Sequence, residues 1–210
     1  MMFRAGTYLA LIRSMAVADL VIHFYQRSDL VPHTLARLAR TRGTIRELVV
    51  HGLASDQGAA ALARLRAVHA HVQAAPDDFH YVLALFILEP IRWNAATGRE
   101  PLDEAELACL LGFWGEIGRA MGLPEPHRSL AQWQEFQRHY ESQRWAHSPE
   151  GETLARACLN EVVKLSLPWG LRGWFRRLML RTMDPRLRAL LRLPEASAAW
   201  WRPWRGVAGL

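Results

Sequence analysis

Thiol chemistry is nearly missing from this chain, whose 210 residues contain two cysteines, Cys109 and Cys158. Two thiols so far apart build neither a disulfide framework nor a cysteine-based zinc site, which fits a reducing compartment. Lysine is scarcer, with Lys164 alone against a background of arginine. A long uncharged apolar run is missing too. Residues 7–25 come nearest, but Arg13 and Asp19 interrupt them, and a membrane span needs about 20 mainly apolar residues. No small-residue cleavage site follows, so the stretch is not read as a signal peptide. The expectation is a cytoplasmic protein, soluble or resting on a membrane surface. Gly-x-Ser-x-Gly, a P-loop and a dinucleotide-binding glycine run are all absent, which removes the commonest hydrolase and nucleotide-binding readings. No segment reads as a strand, an internal repeat or a low-complexity tract.

Half of the residues are hydrophobic, 22% are charged and nine are tryptophan. That composition belongs to a folded chain with a large core, pocket or interface to absorb the indoles. The length suits one domain, residues 1–210. The net charge of +6 is concentrated at one end. Residues 168–210 hold nine arginines against Asp184 and Glu195. A local excess of this kind points to an anionic surface near the C-terminal end, and no groove-reading motif supports nucleic acid as a partner.

Apolar periodicity predicts an all-α architecture of about eight helices around one core. The first helix is expected from Ala5 to Arg27 through Tyr8, Leu9, Ile12 and Leu20, continuing to Phe24. The second runs from about His33 to His51 through Leu35, Leu38 and Leu48. Gly52 ends it, and Ser55 with Asp56 opens a third. Phe79–Trp93 is almost wholly apolar, as a central helix would be. Asp103 caps a helix to Met121, and a shorter one follows from Ser129 to about Glu141. Ser148-Pro149-Glu150 starts another, reaching Leu167. Pro168 opens a basic segment that is helical to Thr182, and Asp184-Pro185 begins a last short helix.

The third helix carries the most pointed chemical signal. Leu62, Leu65, His69 and Val72 fall on one face at steps of three, four and three, with Val68 widening the stripe. His69 thus takes a slot suited to a core leucine. A buried imidazole must satisfy both ring nitrogens. It does so either as a core histidine bonded to a backbone carbonyl, or with a metal on one nitrogen and an acceptor on the other. His71 points elsewhere and cannot share a metal with His69. A single inward histidine suffices for a haem, which needs one axial imidazole and apolar walls.

Several blocks resemble the haem-dependent oxygenases that include bacterial rubber oxygenase (latex clearing protein) and the fungal ER-bound oxygenase of mycophenolic acid biosynthesis. They are Gly6-Thr7-Tyr8-Leu9-Ala10-Leu11-Ile12-Arg13, Arg37 to Thr44, Arg64-Leu65-Arg66-Ala67-Val68-His69, Phe79 to Trp93, Trp114 to Gly122, and Asp184-Pro185-Arg186-Leu187-Arg188. Together and in this order they span nearly the whole chain. The resemblance implies a globin-like helical core holding haem b, with His69 as the proximal iron ligand. It implies that Arg66, one turn earlier, pairs with a haem propionate. The family's Arg-x-x-x-Thr element fits twice, as Arg37/Thr41 and Arg40/Thr44. The second pair lies at the more family-like distance from His69, which assigns Arg40 and Thr44 to the propionates or to distal-pocket polarity.

Two departures limit the analogy, the first being that no residue here matches the carboxylate proposed as distal base in rubber cleavage. Rubber oxygenase has a lysine before that threonine, whereas Gly43 precedes Thr44 here, so lysine ligation of the iron does not carry over. The implied function is a haem-b-dependent oxygenase using O₂ on a small apolar molecule, unsaturated or prenyl-like. The alternative is a non-catalytic helical module that has lost haem and binds a partner or membrane. Either way, Leu167, Trp169, Leu171, Trp174 and Phe175, with Arg172, Arg176 and Arg177, read as an amphipathic segment suited to peripheral membrane contact, and Trp200 to Arg205 repeats its chemistry. The alternative is that both aromatic clusters pack on the domain and the arginines face water.

Overall fold

The protein is described here by a computed structural model, which covers residues 2–26, 30–72, 74–123 and 127–195. The Trp200–Arg205 cluster lies outside those residues, as do the side chains of Phe24, Leu35, Arg37 and Leu38. Among the described residues there are ten α-helices and no β-strand. They are α1 (Met2–Ser14), α2 (Ala18–Gln26), α3 (Leu30–His51), α4 (Asp56–His69), α5 (Pro76–Ala96), α6 (Glu104–Ala120), α7 (Leu130–Arg144), α8 (Pro149–Ser166), α9 (Arg172–Thr182) and α10 (Pro185–Leu190). The all-α expectation holds, with more helices than the sequence suggested.

The helix starts follow local chemistry. Ser55, Asp103, Ser129 and Ser148 each accept a backbone N–H from the first turn of the helix they cap. Each such cap is worth about 1 kcal/mol. Asp103 and Ser129 form reciprocal pairs with Glu106 and Gln132. Gly52 and Gly122 end α3 and α6 at φ +69° and +76°, a left-handed conformation that glycine takes without Cβ strain.

The expected first helix is two helices. The chain turns at Met15–Val17, where no proline or glycine stands. The turn comes from tertiary pairing. The Ala146 amide donates to the Ala16 carbonyl at 3.0 Å, and Val17 forms an isolated antiparallel bridge with Trp145. Those backbone groups trade helical partners for the strand-like segment after α7.

One core draws on all ten helices, from Leu9 and Ile12 of α1 to Leu187 of α10. Its centre is α5, buried along most of its length from Asp78 to Asn94. The principal packing is α1 on α5. The helices meet closely because Gly6 lies over Pro90, where a Cβ on Gly6 would sit 2.5 Å from the Pro90 Cα. Helices α7 and α6 pack on other sides of α5, while α8 packs on α1, α2 and α3. By contrast α4 packs chiefly on α3, and that shallow seating shapes the candidate site.

Candidate functional site

His69 closes the last turn of α4 and is half-buried. Its Nδ1 lies 2.8 Å from the Leu65 carbonyl. A carbonyl can only accept, so Nδ1 carries the proton, and in the neutral ring Nε2 holds the lone pair. The Phe79 ring, at the start of α5, stands 5.5 Å away at a tilt of 55°. Leu62, Leu65 and Val72 are half-buried like His69, and Val68 is 59% exposed.

Two expectations need correction at this point. His69 does not fill a closed core slot, and Val68 faces outward rather than widening an inward stripe. The reason is the single-sided support of α4. Its buried residues are Gly58 and Ala61, and Gly58 sits under Gly52, whose carbonyl oxygen would meet a Cβ there at 1.7 Å. The rest of the inward face, from Leu62 to His69, is only partly covered by protein.

The other site residues lie on the same helical pair without joining into one cluster. Arg40 on α3 and Arg66 on α4 are exposed, and Thr44 on α3 is half-buried. None of the four is hydrogen-bonded to another among the described residues. The α3–α4 pair is tied elsewhere, by an exposed ion pair between Arg64 and Glu47. Arg42 donates to the Tyr8 hydroxyl at 3.1 Å and so anchors α3 to α1. Among the described residues no three His, Cys, Asp or Glu side chains converge as a metal-binding group. A haem asks the protein for one axial side chain, and His69 has the free nitrogen for it.

A second constellation, unforeseen from the sequence, occupies the protein's centre. Arg13 of α1 donates from Nε and Nη2 to the two carboxylate oxygens of Glu141 on α7, at 2.7 and 2.8 Å. Its Nη1 is 3.5 Å from Glu89 of α5, and Nη2 is 3.7 Å from Asp184 ahead of α10. Tyr81 and Gln137 also donate to Glu141, at 3.1 and 2.6 Å, and Trp145 Nε1 donates to the Tyr81 hydroxyl at 3.0 Å. Arg92 completes the group by bonding Glu89 and Gln137. The Arg13 guanidinium lies 4.8 Å from the Trp145 ring centre. Burial works against the charge on Arg13, but the Glu141 hydrogen bond and the Glu89 and Glu141 charges outweigh it and raise its pKa. Burial first, then the Glu141 charge, raises the Tyr81 pKa, so that hydroxyl stays protonated and donates.

The cluster was readable in one respect. Arg13 falls on the apolar face of α1 with Leu9 and Ile12, and Glu89 lies inside an apolar run. Charges in such places must find opposite charges. Next to it, Asp78 accepts from Tyr140, from Arg144 at 3.3 Å and from the Ala75 amide at 2.9 Å. Tyr81 and Tyr140 stack at 4.2 Å between the two groups. Together these contacts fix α5 against α1 and α7, and with α5 the Phe79 ring that flanks His69.

Comparison with known proteins gives the lineage. The family model described as "ER-bound oxygenase mpaB/B'/Rubber oxygenase, catalytic domain" matches residues 1–210. The ER-bound oxygenase mpaB of Penicillium roqueforti (strain FM164) is 32% identical over 91 residues, 41% of this chain and 30% of that protein. The ER-bound oxygenases mpaB and mpaB' of Penicillium brevicompactum are each 31% identical over 91 residues, 41% of this chain, covering 23% and 22% of their own lengths. The matched stretch thus spans less than a third of each curated relative. With the family model matching from end to end, the chain belongs to the mpaB and rubber oxygenase catalytic-domain family.

Proposed function

We propose that the protein is a haem-b-dependent oxygenase with His69 as the proximal iron ligand. The observation that carries this reading is the state of the His69 ring. Its Nδ1–H is committed to the Leu65 carbonyl at 2.8 Å, which fixes the ring and leaves Nε2 as a free donor to iron. The surroundings fit the group as well. Leu62, Leu65, Val72 and Phe79 offer an apolar surface that protein covers only in part. The exposed Arg40 and Arg66 are suited to carboxylates at a porphyrin edge, where they meet water. Thr44, half-buried on α3, is the hydroxyl this reading assigns to distal polarity.

When bound, haem would supply the activation of O₂, which protein side chains cannot perform. The chain's own part is to hold and to exclude. Leu65 holds the ring orientation of His69, and Phe79 limits its rotation. The apolar residues of α4 and the start of α5 offer a surface that an apolar substrate, unsaturated or prenyl-like, would cover, displacing water as it binds. Gly43, rather than a lysine, precedes Thr44, so this chain offers no lysine there as a second ligand.

Titration with hemin tests the assignment. The wild-type chain should develop a Soret band with one equivalent, His69→Ala should lose most of it, and added imidazole should restore it. Wild-type protein that stays colourless with intact helicity by circular dichroism, or a His69→Ala spectrum identical to wild type, would reject the ligand.

A further inference from the structure

We propose that the end of α8, the turn after it and the outer face of α9 form a docking surface for an anionic lipid bilayer. The inference stands apart from the haem assignment, because it rests on different residues and a different assay.

The first observation is apolar exposure gathered in one place. Trp169 is 84% exposed, Leu171 52% and Trp174 48%, and Leu165 is exposed with them. Four large hydrophobic side chains at the surface within ten residues are costly in water unless something covers them. Phe175, expected from the sequence among the surface aromatics, is instead buried in the core with Met179 and Leu180, because it falls on the inner face of α9. The tryptophans are therefore not displaced core residues. Trp174 lies away from that packing on α9, and Trp169 stands exposed in the turn just before it.

The second observation is charge. From Lys164 to Met183 there are five cations, Lys164, Arg172, Arg176, Arg177 and Arg181, and no Asp or Glu. Trp174, Arg177 and Arg181 follow at helical steps of three and four, so indole and guanidinium share the outer face. Arg172 is held by the Leu167 carbonyl at 3.2 Å, which pins the turn carrying Trp169 and Leu171 to the start of α9. Arg176 is likewise bonded to Asn160 of α8. The patch is presented on ordered helices rather than on a loose tail.

These two features select one occupant. Indoles lodge at the boundary between headgroups and acyl chains, and neighbouring arginines meet lipid phosphates and carboxylates. A second copy of the chain would set five cations against five, which charge repulsion opposes. A nucleic acid would use the cations and leave Leu165 and Leu171 in water. Among the described residues no helix is long and apolar enough to cross a membrane, so the contact is a resting one. An apolar substrate dissolved in that bilayer would then lie beside the enzyme.

Vesicle co-sedimentation with the full chain reads this directly, using phosphatidylcholine alone and phosphatidylcholine with about one third phosphatidylserine. The expected result is binding to the anionic vesicles that weakens with salt and is slight on the neutral ones. Each basic residue near such a surface contributes about fivefold in partitioning, so Lys164→Glu with Arg177→Glu should lower it by about 20-fold or more. Trp169→Ala with Trp174→Ala should lower it comparably while the Tm stays unchanged, because both side chains are exposed. Equal sedimentation with both vesicle types would overturn the proposal. So would retention of binding in both variants, a wild-type dimer that the tryptophan variant abolishes, or tighter binding to duplex DNA than to anionic vesicles.

Discussion

Replacing Arg13 with methionine removes a cation that faces Glu141 and Glu89 together, while keeping most of the side-chain volume. Two hydrogen bonds to a carboxylate disappear, at 2.7 and 2.8 Å in the wild type. Bonds to charged groups contribute about 1.5–3 kcal/mol each. Breaking a buried pair and leaving its partner charged costs about 3–5 kcal/mol. The two routes agree, because Arg13 and Glu141 are both nearly inaccessible to water. In a chain of this size about 2–4 °C accompanies each kcal/mol, so a Tm lowered by about 10–15 °C is expected. Urea unfolding followed by circular dichroism should show a lower midpoint at unchanged slope. Glu141→Gln should be costly too, and the double variant should cost about 1–3 kcal/mol less than the sum of the two. Costs that simply add, or an Arg13→Met penalty below about 1 kcal/mol, would show that the central ions are not a cooperative unit.

Four further outcomes test separate parts of the structure. His80 and His127, whose rings lie 5.1 Å apart beside Trp133, both have lowered pKa values. Burial is the main cause for each, joined at His80 by the charge of His127. The fold therefore favours their neutral forms, and their contribution is complete above the unfolded value of about 6.5. It is lost as pH falls from there through the folded values, and His80→Leu should flatten the fall in urea midpoint between pH 7.5 and 5.5. An unchanged slope would refute this. Thiol titration should find one reactive cysteine in the native protein and two after unfolding. Cys109 is exposed, whereas Cys158 is buried and its thiol is pushed up to about 12, chiefly by burial. Gly6→Val should cost more than about 3 kcal/mol, since its Cβ would strike the Pro90 backbone. Gly43→Ala, where a Cβ meets nothing within 4 Å, should gain up to about 1 kcal/mol by helix propensity in the same melts.

The sequence was most legible where structure is decided locally. Ser55, Asp103, Ser129 and Ser148 each start the helix assigned to them, because capping needs only three or four neighbouring residues. It was least legible where distant segments decide. Nothing between Tyr8 and Phe24 announces the turn at Met15–Val17, since the cause is a segment about 130 residues away that claims the Ala16 carbonyl. Periodicity placed His69 on the inner face correctly but could not say how deep that face lies. Depth depends on how many helices cover α4, and chiefly α3 does. Arg13 was visible only as a charge interrupting an apolar stretch. Its partner lies 128 positions further on, beyond the reach of any local pattern.

That separation bears on how the chain acquires its shape during synthesis. When α1 and α5 have left the ribosome, Gly6 can already meet Pro90 and bring the two helices together. Arg13 and Glu89 are then trapped at a half-built seam, facing each other without Glu141, which the ribosome has yet to add. A chain stopped before Glu141 would leave Arg13 without the carboxylate that accepts two of its hydrogen bonds, and such an incomplete product would be exposed to chaperones and proteases.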